Sequence, residues 1–373
     1  MKIAVFTPYN IFKPGGVHEH VVLQVEALRS RGHSVDIITP RPRKVTEDEA
    51  PDGVVFLGTS ARVKTASATS ADVSVSLDNE AIDAVLAENY DIIHAHEPLV
   101  PMAARQLLAR VEGHTLRVGT FHAALPGNTL GKSLISTYKT YARAVMPHVD
   151  VVTAVSPAAT GFISEYIDQP INYIPNCIQL AKFKPTGKKR DRNMIFFMGR
   201  LEKRKGALQA IKAFALLKES KPKLKLVIAS DGPLRRSLEQ YVSLNRIKNV
   251  KFLGIVSDKK KVELLSTCGI YTSPALYGES FGIVLAEAMA MQAPIVAHPN
   301  DGYKWTLKDT GRLSLVDAKD TQAYADRMRL MLEDDSLREV WQKWAEEYVK
   351  QFDIEVVADQ YEKLYKKSLK QKR

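Results

Sequence analysis

Cysteines and long apolar runs are scarce in this sequence. The chain of 373 residues contains two cysteines, Cys177 and Cys268, which lie far apart. This count favours two free, buried thiols over a disulfide framework or a cysteine metal site. No run approaches the roughly 18 to 20 apolar residues of a membrane span. The opening MKIAVFTPYN lacks the layout of a signal peptide, so we expect a cytoplasmic protein.

An even distribution of charge is also missing. The net charge of +11 divides into 15 Lys and Arg against 18 Asp and Glu over residues 1–180, a balance of −3, and 38 against 24 over the remainder, a balance of +14. The basic half is either a solvated surface or a field that attracts a polyanion, such as a nucleotide, a nucleic acid or an anionic membrane. Basic motifs rich in aromatic residues are absent, which disfavours nucleic acid.

Short β-rich runs alternate with helix-length segments in the first half. The runs are KIAVFTP, SVDIITP, YDIIHAH, LRVGTFH, VDVVTAVS and INYIPN, and segments 16–31 and 78–89 between them have helical length. The runs are continuously apolar, as in strands covered on both faces. The alternation predicts an α/β fold with a doubly wound, Rossmann-like parallel sheet.

A second domain of the same type is predicted after a break. The basic stretch 180–193 contains Pro185 and Gly187 and reads as a linker. Strand-like runs then resume with MIFFMGR, LKLVIAS, VKFLGIV, GIYTSPA and APIVAHP, with helices at 207–219 and 234–244 between them. A last helix is expected over 354–370, capped by Asp353. We place the domains at 1–182 and 183–353, with two sheets facing a cleft.

Ligands of such sheets bind at the carboxyl ends of the strands, so the residues there are candidates. Pro14, Gly15 and Gly16 form a tight turn that enters a helix, where a phosphate could approach the backbone. The turn is not a G-x-G-x-x-G fingerprint, which disfavours a dinucleotide. His122 follows a strand end and has either a structural or a functional role.

The segment HAHEP contains three side chains of types that ligate metals. They are His94, His96 and Glu97. The two histidines share one face of a strand that should be buried, so we expect hydrogen-bonded packing rather than a metal site.

Basic and acidic residues follow the strands of the second domain. Arg200 ends the first strand and Lys205 precedes Gly206 at a helix start, which together make a diphosphate clamp. The alternative is a solvated basic loop. The segment ASDGPLRR, with Asp231 and Gly232, is a further strand, turn and helix start.

The segment YGESFGIVLAEAMA contains two carboxylates. Glu279 lies in a loop before Gly282, and Glu287 lies within an apolar helix, where an unpaired charge is costly. A diphosphate flanked by two sets of hydroxyls would use both carboxylates. A sugar nucleotide has this shape.

These motifs together resemble the retaining glycosyltransferases of family 4, which have the GT-B fold. The matching segments are PGGV, GTFH, GRLEKRKG, DGPLR and ESFGIVLAEA, which contains the family's E-x7-E element. Within the family, the opening PYN…KPGGVHEH and the segments HAHEP and TFH are similar to phosphatidylinositol mannosyltransferases. The resemblance also implies that helix 354–373 completes the N-terminal domain.

The resemblance implies a role for each candidate residue. His122, Arg200, Lys205 and Glu279 are the expected catalytic residues. Donor binding is expected at Gly15, Gly16, Arg200, Lys205, Asp231, Gly232, Val256, Glu279, Ser280, Phe281, Gly282, Ile283, Val284 and Glu287. Acceptor binding is expected at Tyr9, His18, Lys64, His122 and Asn128.

The resemblance further implies transfer of mannose or glucose from GDP-mannose or UDP-glucose, with retention and without a required metal. The acceptor would be a lipid at the cytoplasmic membrane face. The sequence departs from the mannosyltransferases at 67–89, which is neutral to acidic instead of basic, and at Ser230, where the family has glycine. The alternatives are a soluble or polysaccharide acceptor, or a sugar-nucleotide epimerase. The sequence does not determine the oligomeric state.

Overall fold

The chain forms two compact units in a computed structural model. Unit 1 comprises Met1–Ile178 and Phe352–Arg373, and unit 2 comprises Gln179–Gln351. The structure describes residues 1–13, 15–43, 45–46, 49–64, 70–74, 78–100, 103–124, 139–161, 164, 168–184 and 186–372. Within these ranges, no helix has both the length and the apolar character needed to cross a membrane.

Unit 1 is built on an eight-stranded sheet. Its strands are β1 (Lys2–Phe6), β2 (Ser34–Arg41), β3 (Val54–Lys64), β4 (Ser70–Ser74), β5 (Ile92–His96), β6 (Leu116–Phe121), β7 (Val151–Ala154) and β8 (Ile171–Tyr173). The order is β4-β3-β2-β1-β5-β6-β7-β8, parallel except for the antiparallel edge strand β4. The chain order reverses between β1 and β5, and in such sheets this switch point is where ligands bind.

The sequence did not predict β3 or β4. The β3 segment VVFLGTSARVK interrupts its apolar residues with Gly, Thr, Ser and Arg, and the β4 segment SADVS holds one large apolar residue. Strands near a sheet edge are covered on fewer sides, so they lack the continuous apolar run that marks central strands.

Helices cover the sheet of unit 1. They are α1 (Gly16–Ser30), α2 (Asn79–Ala87), α3 (Ala103–Ala109), α4, of which residues 139–145 are described, and α12 (Ile354–Lys372). The chain returns to this unit where Ile178 exchanges two backbone hydrogen bonds, one with the Phe352 carbonyl and one with the Ile354 amide, each 2.9 Å long. The α12 residues Tyr361 and Tyr365 are fully buried in a core shared with α1. Burying aromatic side chains of this size is worth about 1.5 to 3 kcal/mol each.

Unit 2 contains a five-stranded parallel sheet. The strands are β9 (Asp191–Met198), β10 (Lys225–Ala229), β11 (Val250–Gly254), β12 (Cys268–Ser273) and β13 (Ile295–Ala297), and their order is β11-β10-β9-β12-β13. The helices are α5 (Ala207–Ser220), α6 (Arg235–Leu244), α7 (Asp258–Thr267), α8 (Ile283–Ala290), α9 (Asp301–Thr306), α10 (Thr321–Glu333) and α11 (Asp335–Tyr348). The switch point lies between β9 and β12.

The fold class is therefore the one that the sequence predicts, two doubly wound parallel sheets. The prediction that Cys177 and Cys268 are free and buried is confirmed. The stretch read as a linker to residue 193 is shorter, because β9 already begins at Asp191.

Candidate active site

Three loops meet at the carboxyl edge of the sheet in unit 2, after β9, β10 and β12. The first two are joined by backbone hydrogen bonds, since Leu201 donates to the Asp231 carbonyl at 3.0 Å and accepts from the Leu234 amide at 3.0 Å. A Cβ on Gly232 would lie 2.6 Å from the Leu201 nitrogen. Gly232 is therefore required for the close approach of the two loops.

Alternating charges connect the loops after β9 and β12. Glu279 accepts from Arg204 Nη1 at 2.7 Å and from Lys205 Nζ at 2.6 Å. Glu202 lies 2.8 Å from Arg200 Nε and 3.2 Å from Arg204 Nε. Three of the predicted site residues, Arg200, Lys205 and Glu279, therefore belong to one network in unit 2.

This network carries more cations than carboxylates. The cations Arg200, Arg204 and Lys205 face the carboxylates Glu202 and Glu279, which leaves one positive charge in excess. The Arg200 side chain is 42% exposed, whereas that of Glu279 is 9% exposed. A dianionic diphosphate would find accessible charge-assisted donors here, and a guanidinium can bind phosphate oxygens in a bidentate manner.

Two helices begin at these loops. Gly206 precedes α5 with φ +74°, and Gly282 precedes α8 with φ +87°. A Cβ at Gly206 would lie 2.2 Å from the Pro274 carbonyl oxygen, and one at Gly282 would lie 2.5 Å from the Tyr303 ring. Both positions thus need glycine for backbone and packing reasons. The free amides of a helix N-terminus attract anions, which suits the predicted phosphate contacts of Gly282.

Glu287, in α8, is buried and paired. It is 3% exposed, and its Oε1 lies 2.6 Å from Lys261 Nζ of α7. Lys261 Nζ also lies 3.2 Å from Asp258 Oδ1 and 5.6 Å from the centre of the Phe183 ring. The charge that the apolar helix could not hold alone is compensated by the lysine, and breaking such a pair costs about 3 to 5 kcal/mol.

Tyr271 of β12 is within electrostatic reach of both carboxylates. Burial raises the pKa of this phenol well above its ordinary value, and the charges of Glu287 and Glu279 raise it further. Its hydroxyl donates to the Met198 carbonyl at 3.0 Å, so it fastens β12 to the end of β9. The charges of both carboxylates thus act on one buried residue of the central strand β12.

Ser230 stands where the family has glycine, and its backbone adopts a conformation that favours glycine. Its φ is +102°, and its amide donates to the Gly254 carbonyl at 2.6 Å. The serine is therefore accommodated with backbone strain.

In unit 1, the glycine turn after β1 differs from the sequence argument. Gly15 has φ 179°, which any residue adopts, and a Cβ there would meet no atom within 4 Å. Gly15 thus leaves open space at the start of α1, but the backbone conformation at this position is one that any residue can adopt. Gly16 is the first residue of α1, and His18 lies in its first turn.

His122 directly follows β6, as predicted. Its backbone amide donates to Glu97 Oε1 at 2.6 Å, its Nδ1 lies 3.2 Å from Asn176 Oδ1, and its Nε2 lies 2.8 Å from His96 Nδ1. Burial lowers the pKa of His122 to about 4, partly offset by the Asn176 hydrogen bond. The imidazole is therefore neutral at pH 7.

The buried strand β5 contains the histidines that the sequence singled out. His94 hydrogen-bonds Tyr365 through Nδ1 at 2.6 Å and Thr120 through Nε2 at 2.5 Å. This is the hydrogen-bonded packing that we expected. Burial raises the pKa of Glu97 to about 7, although hydrogen bonds from the backbone amides of His122 and Ala123 act in the opposite direction and lower it.

The other predicted contacts lie in several places. Ser280 and Phe281 precede α8, and Ile283 and Val284 open it, beside Gly282. Val256 follows β11, the outermost strand on one side of the same sheet, which lies three strands away from β12. Tyr9 follows β1 and pairs with Val73 in an isolated bridge. The Lys64 side chain and Asn128 lie outside the described residues.

The sequence analysis missed several partners of the site residues. Arg204 and Glu202 lie inside the GRLEKRKG segment, whose alternating charges were a usable indication. Lys261 is the last of three consecutive lysines, and nothing in that run marks it as the one facing Glu287. His20 lies in α1, 0% exposed, with its ring centre 5.0 Å from that of His122. Only the packing of α1 on the sheet brings it there.

Comparison with known proteins agrees with this architecture. Residues 14–182 match the family described as Glycosyltransferase Family 4, and residues 179–348 match the one described as Glycosyl transferases group 1. The phosphatidyl-myo-inositol mannosyltransferase of Mycolicibacterium smegmatis is 30% identical, over 98% of this chain and 93% of its own length. The D-inositol 3-phosphate glycosyltransferase of Corynebacterium urealyticum is 26% identical, over 94% and 90%.

A solved structure shows the same fold. Sucrose-phosphate synthase from Thermosynechococcus elongatus has a TM-score of 0.73 and 21% identity, with 98% of both chains covered. The family matches together span both units, and the mannosyltransferase match covers nearly the whole chain. This protein therefore belongs to the family 4 glycosyltransferases and has the GT-B fold.

Proposed function

We propose that this glycosyltransferase transfers a mannosyl group from GDP-mannose to a phosphatidylinositol-type lipid, with retention at the anomeric carbon. The observation that carries the proposal is the 30% identity, over nearly the whole chain, to a phosphatidyl-myo-inositol mannosyltransferase. The charge arrangement of unit 2 supports a sugar-nucleotide donor independently of that likeness.

Each part of the donor has a counterpart in unit 2. Arg200, Lys205 and the N-termini of α5 and α8 bind the diphosphate, and Glu279 orients the sugar. Glu287, held by Lys261, accepts hydrogen bonds from the ribose hydroxyls. The excess positive charge beside Glu279 takes the role that a metal ion has in other nucleotide enzymes, so the transfer requires no metal.

The chemical step breaks the bond between the anomeric carbon and the diphosphate oxygen. Arg200 and Lys205 stabilise the negative charge that develops on the leaving diphosphate, which is usually the largest catalytic contribution. The acceptor hydroxyl attacks from the same face, and its proton passes to a departing phosphate oxygen. The likeness to the mannosyltransferases makes His122 of unit 1 a candidate for acceptor binding, and burial keeps its imidazole neutral at pH 7.

A lipid acceptor implies peripheral association with the inner face of the cell membrane. The lysines of α12 are the candidates for contact with anionic lipid, each worth about 1 kcal/mol. Several are engaged in ion pairs, including Lys363 with Asp359 and Lys366 with Glu362. Lys367 and Lys370 are exposed and are the lysines that we expect to contact an anionic lipid surface. Flotation with anionic and neutral liposomes tests this, and equal absence from both fractions would contradict it.

A soluble inositol phosphate is the second candidate acceptor. The α2 sequence NEAIDAVLA contains Glu80 and Asp83 and no basic residue, which does not suit an anionic lipid surface. The corynebacterial relative, named for a soluble inositol phosphate, is similar over most of the chain. Both acceptors present inositol hydroxyls beside a phosphate.

One assay separates the candidates. Purified enzyme is incubated with GDP-mannose or UDP-glucose and with phosphatidylinositol vesicles, inositol 3-phosphate or no acceptor, and products are identified by mass spectrometry. The proposal predicts a mannosylated lipid with GDP-mannose. Product only with inositol 3-phosphate selects the second candidate, and conversion of the donor sugar without any acceptor indicates an epimerase. Lys205→Ala and Lys203→Ala serve as the inactive and active controls, because Lys203 is exposed in the same loop.

A further inference from the structure

The histidines of unit 1 group differently in space than in sequence. His94 and His96 lie two residues apart, but His94 is fully occupied by Tyr365 and Thr120. The His96 ring stacks on that of His94, with the ring centres 4.3 Å apart, and it also faces His20 of α1 and His122 after β6. The ring centres of His20, His96 and His122 are 5.0 to 5.6 Å apart.

We propose that His20, His96 and His122 form a binding site for one divalent transition-metal cation of the class that prefers imidazole, such as Zn²⁺ or Co²⁺. One ring nitrogen from each residue lies within 4.8 Å of those from the other two. All three residues are at most 5% exposed. Three imidazoles with a fourth open position are a common zinc environment.

Unsatisfied nitrogens are the second observation. His20 Nε2 and His96 Nε2 are buried and have no hydrogen-bond partner among the residues that the structure describes. A buried polar atom without a partner is costly, and native proteins seldom leave one without a reason. Ligation through His20 Nε2 would satisfy the first of these atoms, whereas His96 would ligate through Nδ1, which faces His122, and its Nε2 would carry the ring proton.

The outer contacts of two of the rings suit metal binding. His122 donates its Nδ1 proton to Asn176 Oδ1 at 3.2 Å, which leaves Nε2 with its lone pair directed inward. His20 Nδ1 lies 3.5 Å from Cys177 Sγ, so this ring also has a partner on its outer side. Metal-binding histidines typically use the second nitrogen in this way, which fixes the ring and its tautomer.

The required adjustment is small. Zinc–nitrogen bonds of about 2.0 to 2.1 Å place tetrahedral ligand nitrogens about 3.3 Å apart. His96 Nδ1 and His122 Nε2 are 2.8 Å apart, so they would separate slightly, and the His20 ring would move inward. The rings are neutral at pH 7 because burial lowers their pKa values, and the neutral form is the one that ligates.

A cation here would join three parts of unit 1. His20 lies in α1, His96 ends β5 and His122 follows β6, and these elements flank the switch point of the sheet. The cation fastens α1 to the ends of the two strands, so its expected effect is on stability. Because His122 is also a candidate for acceptor binding, the expected readouts of this site are metal binding and stability rather than the rate of transfer.

The test is metal binding by tag-free, chelator-treated enzyme. Titration with Co²⁺ should produce visible d–d absorption that saturates at one equivalent, and Zn²⁺ should abolish it. Zn²⁺ at 100 times its Kd should raise the melting temperature by about 5 to 10 °C. His20→Gln and His96→Gln should each lose the absorption and the thermal shift.

Two matched variants define the specificity. His94→Gln alters a buried histidine with both nitrogens occupied, and His114→Gln alters an exposed one, so both should retain one tight equivalent. Absence of saturable Co²⁺ absorption in the wild-type enzyme would overturn the proposal, even if a variant fails to fold. Equal loss in His114→Gln would likewise overturn it and assign the binding to surface histidines.

Discussion

The two units have similar parallel sheets but place opposite kinds of side chain at the carboxyl ends of their strands. In unit 1, the ends of β5 and β6 carry buried histidines that burial keeps neutral. In unit 2, the ends of β9 and β12 carry an ion-pair network in which Arg200 remains 42% exposed. One topology thus supports a neutral interior in one unit and a charged surface in the other.

The difference follows from burial. A histidine without solvent or a carboxylate partner releases its proton, whereas an exposed guanidinium keeps its charge at every physiological pH. The charges of unit 2 are therefore available to an anionic donor at every physiological pH, whereas the buried histidines of unit 1 carry no charge at pH 7. We therefore expect the stability of unit 1 to depend on pH, and the activity that depends on unit 2 to be lost when one of its charges is removed.

Acid should destabilise unit 1 first, and this is the largest effect we expect. Below pH 6.5 the unfolded chain protonates His20, His94, His96 and His122, while the folded pKa values lie lower, at about 3 for His94 and about 4 for His122. Each group lowers the free energy of unfolding by about 1.4 kcal/mol per pH unit as pH falls. Glu97 opposes this with one group, because its raised pKa makes the folded form bind a proton between about pH 4.5 and 7. The net loss is about 4 kcal/mol per pH unit.

The two units can be followed separately in that experiment. All three tryptophans, Trp305, Trp341 and Trp344, lie in unit 2, which has a single histidine, His298. Urea unfolding at pH 7 and pH 5.5 should show the circular dichroism transition moving ahead of the tryptophan fluorescence transition at the lower pH. Transitions that shift together by equal amounts would contradict the assignment to unit 1.

Removal of the exposed cations should give the next largest effect. Arg200→Ala and Lys205→Ala should each lower kcat by about 100- to 1000-fold while the fold persists, because each deletes a charge that meets the departing diphosphate. Steady-state kinetics with saturating donor measures this, with thermal melting as the check of folding. Lys203→Ala should remain near wild type, and near-normal kcat in both site variants would show that the phosphate contacts lie elsewhere.

The two carboxylates should separate in their kinetics. Glu279→Gln should lower kcat by one to two decades, the equivalent of about 1.5 to 3 kcal/mol, because it weakens an interaction with the sugar as positive charge develops. Glu287→Gln should raise the donor KM and spare kcat, because ribose is held equally throughout. A reversed pattern would mean that the donor lies in the opposite direction along α8.

The structure adds a control for Glu287. The substitution Glu287→Gln leaves Lys261 buried beside a neutral amide, so part of the effect is lost stability. The double variant Glu287→Gln with Lys261→Met removes both charges and should recover stability without recovering donor affinity. Recovery of both would reduce Glu287 to a structural role.

The smallest expected effect concerns the strained serine. Ser230→Gly should stabilise unit 2 by about 0.5 to 1 kcal/mol, because glycine adopts φ +102° without the side-chain penalty. The tryptophan transition in urea should shift to higher concentration, with donor KM unchanged. The matched change Ser237→Gly, inside α6, should move it in the other direction.

Much of the fold follows from local pattern. Central strands such as β1, β5 and β9 are built on apolar runs, and α1 and α5 begin at their predicted first residues, 16 and 207. β3 and β4 escaped detection because strands toward the edge of a sheet contain polar residues. The charged residues of the GRLEKRKG and E-x7-E segments can also be identified as site candidates from the sequence alone.

The sequence by itself determined the two α/β sheets, the glycosyltransferase family and the order of acidic and basic residues after each strand, because each depends on residues close together in the chain. Only the tertiary structure decided which charges meet. Lys261 reaches Glu287 across 26 positions, and His20 reaches His122 across 102, because the packing of helices on the sheets brings together residues that are distant in the chain. Burial, which sets the protonation of those histidines, is likewise a property of the packed unit and not of any segment.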